Sequence, residues 1–142
     1  MERIPLLIAF VLLVIALIVV GREMARRRTS ALKKTEASHL WKALDARPDG
    51  RATVVAFSSP SCAVCHGVQA RALMDTENVL GREWVRVVHV DIAENPDVAG
   101  VFGVMTVPTT VVLTPNGAVV DANHGLALGP KLVQQVRFAT IG

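Results

Sequence analysis

One unbroken apolar run opens the chain. Residues 4–20 carry no charged or polar side chain, and as a helix they would be about 25 Å long at about 1.5 Å per residue, at the short end for a bilayer span. Six basic residues follow the run and only Arg3 precedes it, and no small-residue cleavage site comes after it. A secretory signal has its basic residues before the apolar run and a small-residue cleavage site after it. The pattern predicts an uncleaved transmembrane anchor over residues 1–21.

After residue 35, helical spacing alternates with short β-branched runs. Residues 35–46 have helical spacing, and residues 52–57 are continuously apolar, as in a strand covered on both faces. A second helix is expected from the cysteines to about residue 80, with its inward stripe at Val64, Val68, Ala72 and Leu73. The remaining predicted elements are strands at 84–92, 109–113 and 118–122 and helices at 95–103 and about 129–138. Trp41 and Trp84 are expected to pack in the core or at its rim.

The order of the elements predicts the fold class. Strands separated by helices imply parallel crossovers, whereas Pro115-Asn116-Gly117 indicates a tight hairpin and one antiparallel pair. We therefore expect an α/β domain over residues 37–142, with a mixed sheet of four to five strands flanked by helices. Residues 22–36 are the only candidate linker.

The charge is divided unevenly along the chain. Residues 1–36 hold seven Lys and Arg against three Asp and Glu, a net +4, while residues 37–142 hold eight against nine, a net −1. The basic excess thus flanks the apolar run, where it favours contact with anionic lipid headgroups and gives no support for a nucleic-acid partner. Because only Arg3 precedes the run, the positive-inside rule predicts a single-pass protein of the cell membrane with its domain on the cytoplasmic side.

Only two cysteines occur, Cys62 and Cys65, which is too few for a disulfide framework. Followed by His66, they could attach a c-type haem, bind a metal or exchange disulfides. Haem attachment is typical of mainly helical proteins with a distant second ligand, and a zinc site needs two further ligands that no second cysteine pair supplies. A redox pair needs its first cysteine at a helix N-terminus, where free N–H groups favour the thiolate, and Cys62 is predicted to lie there.

A second signal is Val107-Pro108-Thr109 at the start of the third predicted strand. Proline cannot donate to a strand ladder. A cis Val107-Pro108 bond would turn the backbone groups of Val107 toward a bound peptide, and the alternative is an ordinary proline at a strand edge.

The segments VVAFSSPSCAVC and VVHVDIAENPDVAGVFGVMTVPT, followed by PNG and Gly125, together resemble the thioredoxin superfamily over residues 35–142. The resemblance implies a thioredoxin-like fold in which Cys62 attacks a substrate disulfide, Cys65 resolves the mixed disulfide and Pro108 faces the pair in the cis form. It implies substrate contacts at Val107 and Thr109, no cofactor and no metal. The implied partners are protein disulfides and a thiol reductant or reductase, and we expect a monomer.

Two departures from the family pattern change these expectations. Thioredoxins usually have Trp-Cys-Gly-Pro-Cys where this chain has Ser61-Cys62-Ala63-Val64-Cys65, so their redox potential does not carry over. Their usual buried aspartate, the proton acceptor for the second cysteine, corresponds to Ala56 here, so water or another group must serve. His66 either tunes the Cys62 thiolate when protonated or is a solvated helix residue.

The sequence thus predicts a membrane-anchored thiol-disulfide oxidoreductase, most simply a protein-disulfide reductase. One alternative is a module that binds copper(I) through the same two thiols, although no Met-rich or His-rich tract supports it. Another alternative keeps the chemistry and places the domain outside the cell, as a reductant for exported thiol proteins.

Overall fold

The computed structural model describes residues 3–141, so the predicted anchor (1–21) and the predicted domain (37–142) each extend beyond one end of this range. Helices and strands follow one another in the predicted order after a long first helix. They are α1 (Arg3–Lys33), α2 (Ala37–Ala43), β1 (Ala52–Ser58), a π-helical turn (Cys65–Gln69), α3 (Ala70–Leu80), β2 (Val85–Asp91), α4 (Pro96–Val101), β3 (Thr109–Leu113), β4 (Val119–His124) and α5 (Gly129–Ile141).

The four strands form one mixed sheet in the order β2-β1-β3-β4. Strand β1 pairs in parallel with β2 and antiparallel with β3, and β3 pairs antiparallel with β4. The predicted mixed sheet is confirmed, but the expectation that every helix-linked strand runs parallel is wrong for β3. The six-residue α4 is only about 9 Å long, which is less than the length of a strand, so it does not carry the chain back to the other end of the sheet. Strand β3 therefore starts at the end of the sheet where β2 finishes and runs antiparallel to β1.

Strand β1 is covered on both faces, as its continuous apolar run predicts. Ala52, Val54 and Ala56 pack toward α3 and α5. Val55 and Phe57 belong to the opposite layer, which α2 and the region of α4 cover. Hydrophobic cores therefore pack on both faces of β1, and the segment that follows β1 begins at a well-packed strand.

The predicted inward stripe of the second helix is wrong in its first half. Val64 and Val68 are 45% and 52% exposed, and Cys65 and Gln69 take the inward positions on the π-helical turn before Ala72 and Leu73 continue the buried face. Gln69 is polar, so a hydrophobic pattern cannot select it. Val68 instead lines an apolar groove of about 580 Å³ between α3 and α5.

Helix α1 is unbroken from Arg3 to Lys33, so the segment expected to be a linker is helical over most of its length. Its apolar part is long and apolar enough to cross a membrane and is not buried in the protein, although a signal sequence would meet the same criteria. Near its C-terminal end, Ala25, Arg28 and Thr29 are half-buried and Leu32 is fully buried, at the three- and four-residue spacing of one helix face. Leu32 packs in the same core as α2.

The hairpin between β3 and β4 packs on α2. The Gly117 N–H donates to the Thr114 carbonyl at 2.8 Å, and Gly117 has a φ of +90° with Trp41 directly against its α-carbon. Trp41 is buried, as expected, with the guanidinium of Arg86 5.1 Å from its ring. Trp84, for which packing was also expected, is mostly exposed.

Candidate active site

Cys62 and Cys65 are joined by a disulfide, with their Cα atoms 5.3 Å apart. The helix begins at Ala63, so Cys62 is the residue before its first turn. The Cys65 N–H donates to Cys62 Sγ at 3.2 Å. Cys62 is half-buried, whereas Cys65 is only 7% exposed. The arrangement thus gives one sulfur that a partner can reach at a helix N-terminus and one that is shielded a turn further on.

The position of the pair follows from the end of β1. After Ser58 the chain turns, and the Cys62 N–H donates to the Ser59 carbonyl at 3.1 Å. The turn delivers the chain into the helix that contains Cys65. Because β1 is packed on both faces, the cysteines are held by a rigid strand and not by a mobile loop.

The residues around Pro108 meet the cysteines at the same edge of the sheet. Phe57 in β1 is the register partner of Thr109 in β3, and Thr109 is the register partner of His124 in β4. Because β1 and β3 are antiparallel, the end of the first and the start of the second lie side by side. We call this row (Phe57, Thr109 and His124) together with the three loops beyond it (residues 59–66, 103–108 and 125–128) the cysteine edge.

Pro108 is fixed within this edge by its backbone. The Val107-Pro108 peptide bond is cis, and the Pro108 carbonyl accepts the Gly125 N–H at 2.9 Å. Pro108 is buried and Val107 is half-buried. Thr109 is fully buried and its hydroxyl donates to the Thr106 carbonyl at 2.7 Å, so its side chain faces the interior.

His66 is exposed and contacts the loop before the cysteines. Its Nε2 lies 3.0 Å from the Ser59 carbonyl, and since a carbonyl only accepts, the ring nitrogen donates. The contact joins the first helical turn to the end of the β1 loop. His66 therefore makes a hydrogen bond that holds the loop before the cysteines against the first helical turn, beside the disulfide.

The sequence model of the thioredoxin family matches residues 32–137, about three quarters of the chain. The chain belongs to the thioredoxin family. It is 35% identical over 69 residues to the thioredoxin of Bacillus subtilis (strain 168), a match that covers 49% of this chain and 64% of that relative, so the match spans less than two thirds of the relative's length.

Solved thioredoxins share the fold of this thioredoxin domain. A Fasciola hepatica thioredoxin superposes with a TM-score of 0.57 at 24% identity, covering 73% of this chain and 94% of that one. The thioredoxin-2 of a malaria parasite superposes with a TM-score of 0.59 at 18% identity, covering 66% and 87%. At these identities the similarity shows the fold alone.

The thioredoxin domain has no buried carboxylate behind its disulfide. Ala56 is 5% exposed and lies between His89 and Thr110 in the sheet register. None of the buried polar residues between 3 and 141 is acidic: they are Thr53, Gln69, Thr76, Thr109, Thr110, Asn123 and Gln135.

A hydrogen-bonded amide network occupies the same sheet row instead. Asn123 Nδ2 donates to Thr110 Oγ1 at 3.0 Å and to Gln135 Oε1 at 2.8 Å. Gln135 Nε2 donates to Asn123 Oδ1 at 3.0 Å and to Asp121 Oδ2 at 3.1 Å. The two amides thus satisfy each other, and the half-buried carboxylate of Asp121 accepts a further hydrogen bond from Gln135.

Gln69 connects the active-site helix to the loop before α5. Its Nε2 donates to the Ala127 carbonyl at 2.9 Å, and its Oε1 accepts the Ala127 N–H at the same distance. Sequence reasoning did not find Gln69, although a polar residue four positions after Cys65 on a helix was a signal that it shares the inward face.

Metal-binding side chains do not gather around the disulfide. Within residues 3–141 no group of three or more His, Cys, Asp or Glu could hold a metal ion. The two sulfurs are therefore the only soft ligands at the cysteine edge as far as the described chain shows, apart from the thioether of Met105.

Proposed function

We propose that this thioredoxin is a membrane-anchored protein-disulfide reductase that works through Cys62 and Cys65. The observation that carries the proposal is the asymmetry of the pair: Cys62 is reachable at a helix N-terminus, and Cys65 is buried within disulfide distance of it. Thiol-disulfide exchange needs one accessible attacking thiolate and one shielded resolving thiol.

The exchange begins with the reduced pair. The Cys62 thiolate attacks one sulfur of a substrate disulfide, a mixed disulfide forms, and the other substrate sulfur leaves as a thiolate. Cys65 then loses its proton and attacks Cys62 Sγ, which releases the second substrate thiol and leaves the Cys62–Cys65 disulfide. Two electrons pass to the substrate, and a thiol reductant or reductase restores the pair.

Water or a group of the substrate takes the Cys65 proton in this mechanism, because the side chain of Ala56 has no proton acceptor. The backbone groups of Val107 beside Pro108 bind the substrate chain next to the disulfide. Thr109 holds this segment through its buried hydroxyl. The domain acts as a monomer in this proposal.

Anchoring is supported by the apolar part of α1 and the basic residues after it. The charge asymmetry favours the cytoplasmic side. A C-terminal reporter that is active only in the cytoplasm would support this side. Activity only outside the cell would favour the alternative in which the domain reduces exported thiol proteins.

Two experiments on the full chain in detergent micelles test the chemistry. Cys65→Ser should trap a covalent adduct with a disulfide-bonded protein, and Cys62→Ser should trap none. Titration against thiol buffers should give a two-electron midpoint nearer about −270 mV than about −120 mV, because the proposed reductase role needs a strongly reducing pair. A midpoint near the upper value would make the protein an oxidant, and the absence of any reversible couple would contradict the proposed function.

A further inference from the structure

Helix α1 meets the sheet at the cysteine edge. Thr29 Oγ1 lies 3.3 Å from Nε2 of His124, and His124 is the register partner of Thr109, the residue after Pro108. Thr109 in turn pairs with Phe57 at the end of β1, shortly before the cysteines. The contact therefore places Thr29 in the row from which the active-site loops emerge.

From Thr29 onward the chain moves away from this edge. Leu32, one turn later, is buried in the core beside α2. Ala37 then lies against the hairpin at the opposite end of β4, where a Cβ on Gly117 would come within 3.1 Å of its methyl group. The end of α1 thus runs antiparallel to β4. Followed backward from Thr29, the helix leaves the sheet on the side of the disulfide.

The apolar run ends close to the cysteine edge. Val20 is its last residue and lies about 14 Å along the helix from Thr29, at about 1.5 Å per residue. The basic side chains in this interval are those of Arg22, Arg26, Arg27 and Arg28. Arginines next to an apolar helix lie in the headgroup layer of a membrane. One headgroup layer is about 5–8 Å deep, so Thr29 would lie within about 10 Å of its outer surface.

The side chains of the cysteine edge suit a surface of anionic headgroups. None of its three loops contains an acidic residue. Val64, Met105, Leu126 and Leu128 are exposed there. Two acidic residues lie at this end of the sheet, Asp91 as the last residue of β2 and Glu94 in the turn after it, and β2 is the strand farthest from β4 and α1. The loops nearest the helix thus add no like charge facing lipid phosphates, and the one acidic residue between Val20 and Thr29, Glu23, is paired with Arg27 at 3.0 Å.

We propose that the cysteine edge faces the bilayer, and that the substrates are disulfides held within roughly 15 Å of the membrane surface, as in the juxtamembrane segments of membrane proteins. The proposal rests on the anchoring and the exchange chemistry proposed above. The path of α1 away from the sheet on the disulfide side argues against the opposite mounting, in which the disulfide would point away from the lipid. The chemical step is the exchange already described.

The orientation is tested without any substrate. The full-length Cys65→Ser variant carries a fluorescent donor on Cys62 in vesicles of phosphatidylcholine and phosphatidylglycerol with a headgroup acceptor. The matched control carries the donor at position 116 of the exposed hairpin, through Asn116→Cys in a Cys62→Ser, Cys65→Ser chain. Energy transfer should be several-fold stronger from Cys62, and equal or weaker transfer from Cys62 would overturn the proposal.

The substrate class is tested with one disulfide peptide, free or attached to lipid by tethers of increasing length. A companion chain carries a seven-residue helical insertion after Arg22, which keeps the helix face within about 20° and lifts the domain about 10 Å. The native chain should reduce the short-tethered peptide on the order of 10²-fold faster than the free one, and the insertion should abolish that preference for the shortest tether only.

The two proposals fail differently in this experiment. If neither chain reduces the free peptide, the proposed exchange function falls. If both chains reduce the free peptide equally well but show the same dependence on tether length, the exchange function stands and the membrane-facing orientation falls.

Discussion

Thr29 and His124 join the first helix of the chain to its last strand, with Oγ1 and Nε2 3.3 Å apart. Burial lowers the pKa of His124, Arg28 nearby lowers it further, and Asp121 opposes the shift. A charged ring would also carry a proton on Nδ1, which is buried and has no hydrogen-bond partner. The surroundings of His124 therefore favour a neutral imidazole.

This contact predicts that acid weakens the fold at the α1–β4 junction. The folded pKa lies below the unfolded value of about 6.5, so the unfolded chain binds more protons between the two. The contribution of neutral His124 to the free energy of unfolding is complete above about pH 6.5 and is lost as the pH falls toward and through the folded pKa. The free energy of unfolding is measured by urea denaturation of the full chain in micelles at pH 7.5 and pH 5. Its decrease between the two pH values should be smaller for His124→Asn than for the native chain. His39→Asn, at an exposed histidine, should behave like the native chain, and an unchanged acid loss in His124→Asn would contradict the assignment.

Gln69→Ala should lower the free energy of unfolding by roughly 2 kcal/mol or more, because it leaves the N–H and carbonyl of buried Ala127 without partners. Gln134→Ala removes the same side chain from an exposed site on α5 and should change it by less than about 0.5 kcal/mol. Equal effects of the two substitutions in urea denaturation would show that the Gln69 bonds contribute nothing.

Gly117→Ala should be destabilising for two reasons, backbone conformation and a clash with Trp41. Gly50→Ala serves as the control because it shares only the first. Gly117 and Gly50 have φ values of +90° and +87°, so an alanine at either costs about 1 kcal/mol or more in backbone conformation. Only at Gly117 would the new methyl group meet Trp41, whereas nothing lies within 4 Å at Gly50. Thermal unfolding should show a larger loss for Gly117→Ala and a shift of the Trp41 fluorescence, and a larger loss for Gly50→Ala would refute this account of the hairpin.

Ala56→Asp should accelerate the resolving step while reducing stability. The carboxylate would enter a site that is 5% exposed and apolar on the α3 side, where burial raises its pKa and makes it a proton acceptor for Cys65. Single-turnover decay of a preformed mixed disulfide should be several-fold faster than in the native chain. Ala56→Asn should cost similar stability without the acceleration, and an equal rate in both variants would show that the proton acceptor does not limit resolution.

The strands could be predicted to within one or two residues because each contains a β-branched run, and the central strands β1 and β3 are buried on both faces. Strand β4 extends to His124, two residues beyond its predicted end, since the buried Asn123 amide donates hydrogen bonds to Thr110 and Gln135. A hydrophobic pattern reports the burial of apolar groups. It does not report a buried amide whose partners lie far away in the sequence, and the same reason hides Gln69.

The candidate site was predictable where local chemistry determines it. Ser58-Ser59-Pro60-Ser61 marks a helix start, and this placed Cys62 correctly before the first turn. The direction of β3 and the burial of Thr109 depend on the path of the chain between β2 and β3, which no local pattern specifies. The docking of α1 was missed because its contact stripe contains Ala25, Arg28 and Thr29, which do not form an apolar face.

The unbroken path of α1 from the apolar run to the sheet has a mechanical consequence. A domain on a flexible tether keeps its orientation independent of the lipid, but here any tilt of the helix is also a tilt of the sheet. The apolar run, at about 25 Å, is shorter than the roughly 30 Å hydrocarbon thickness of an average bilayer. If α1 is anchored as proposed, such a bilayer would accommodate the short run by thinning around the helix or by extension of the flanking arginines. A thicker bilayer would draw the arginine-rich turns and the disulfide closer to the headgroups. Bilayer thickness would then set how far the reactive sulfur reaches.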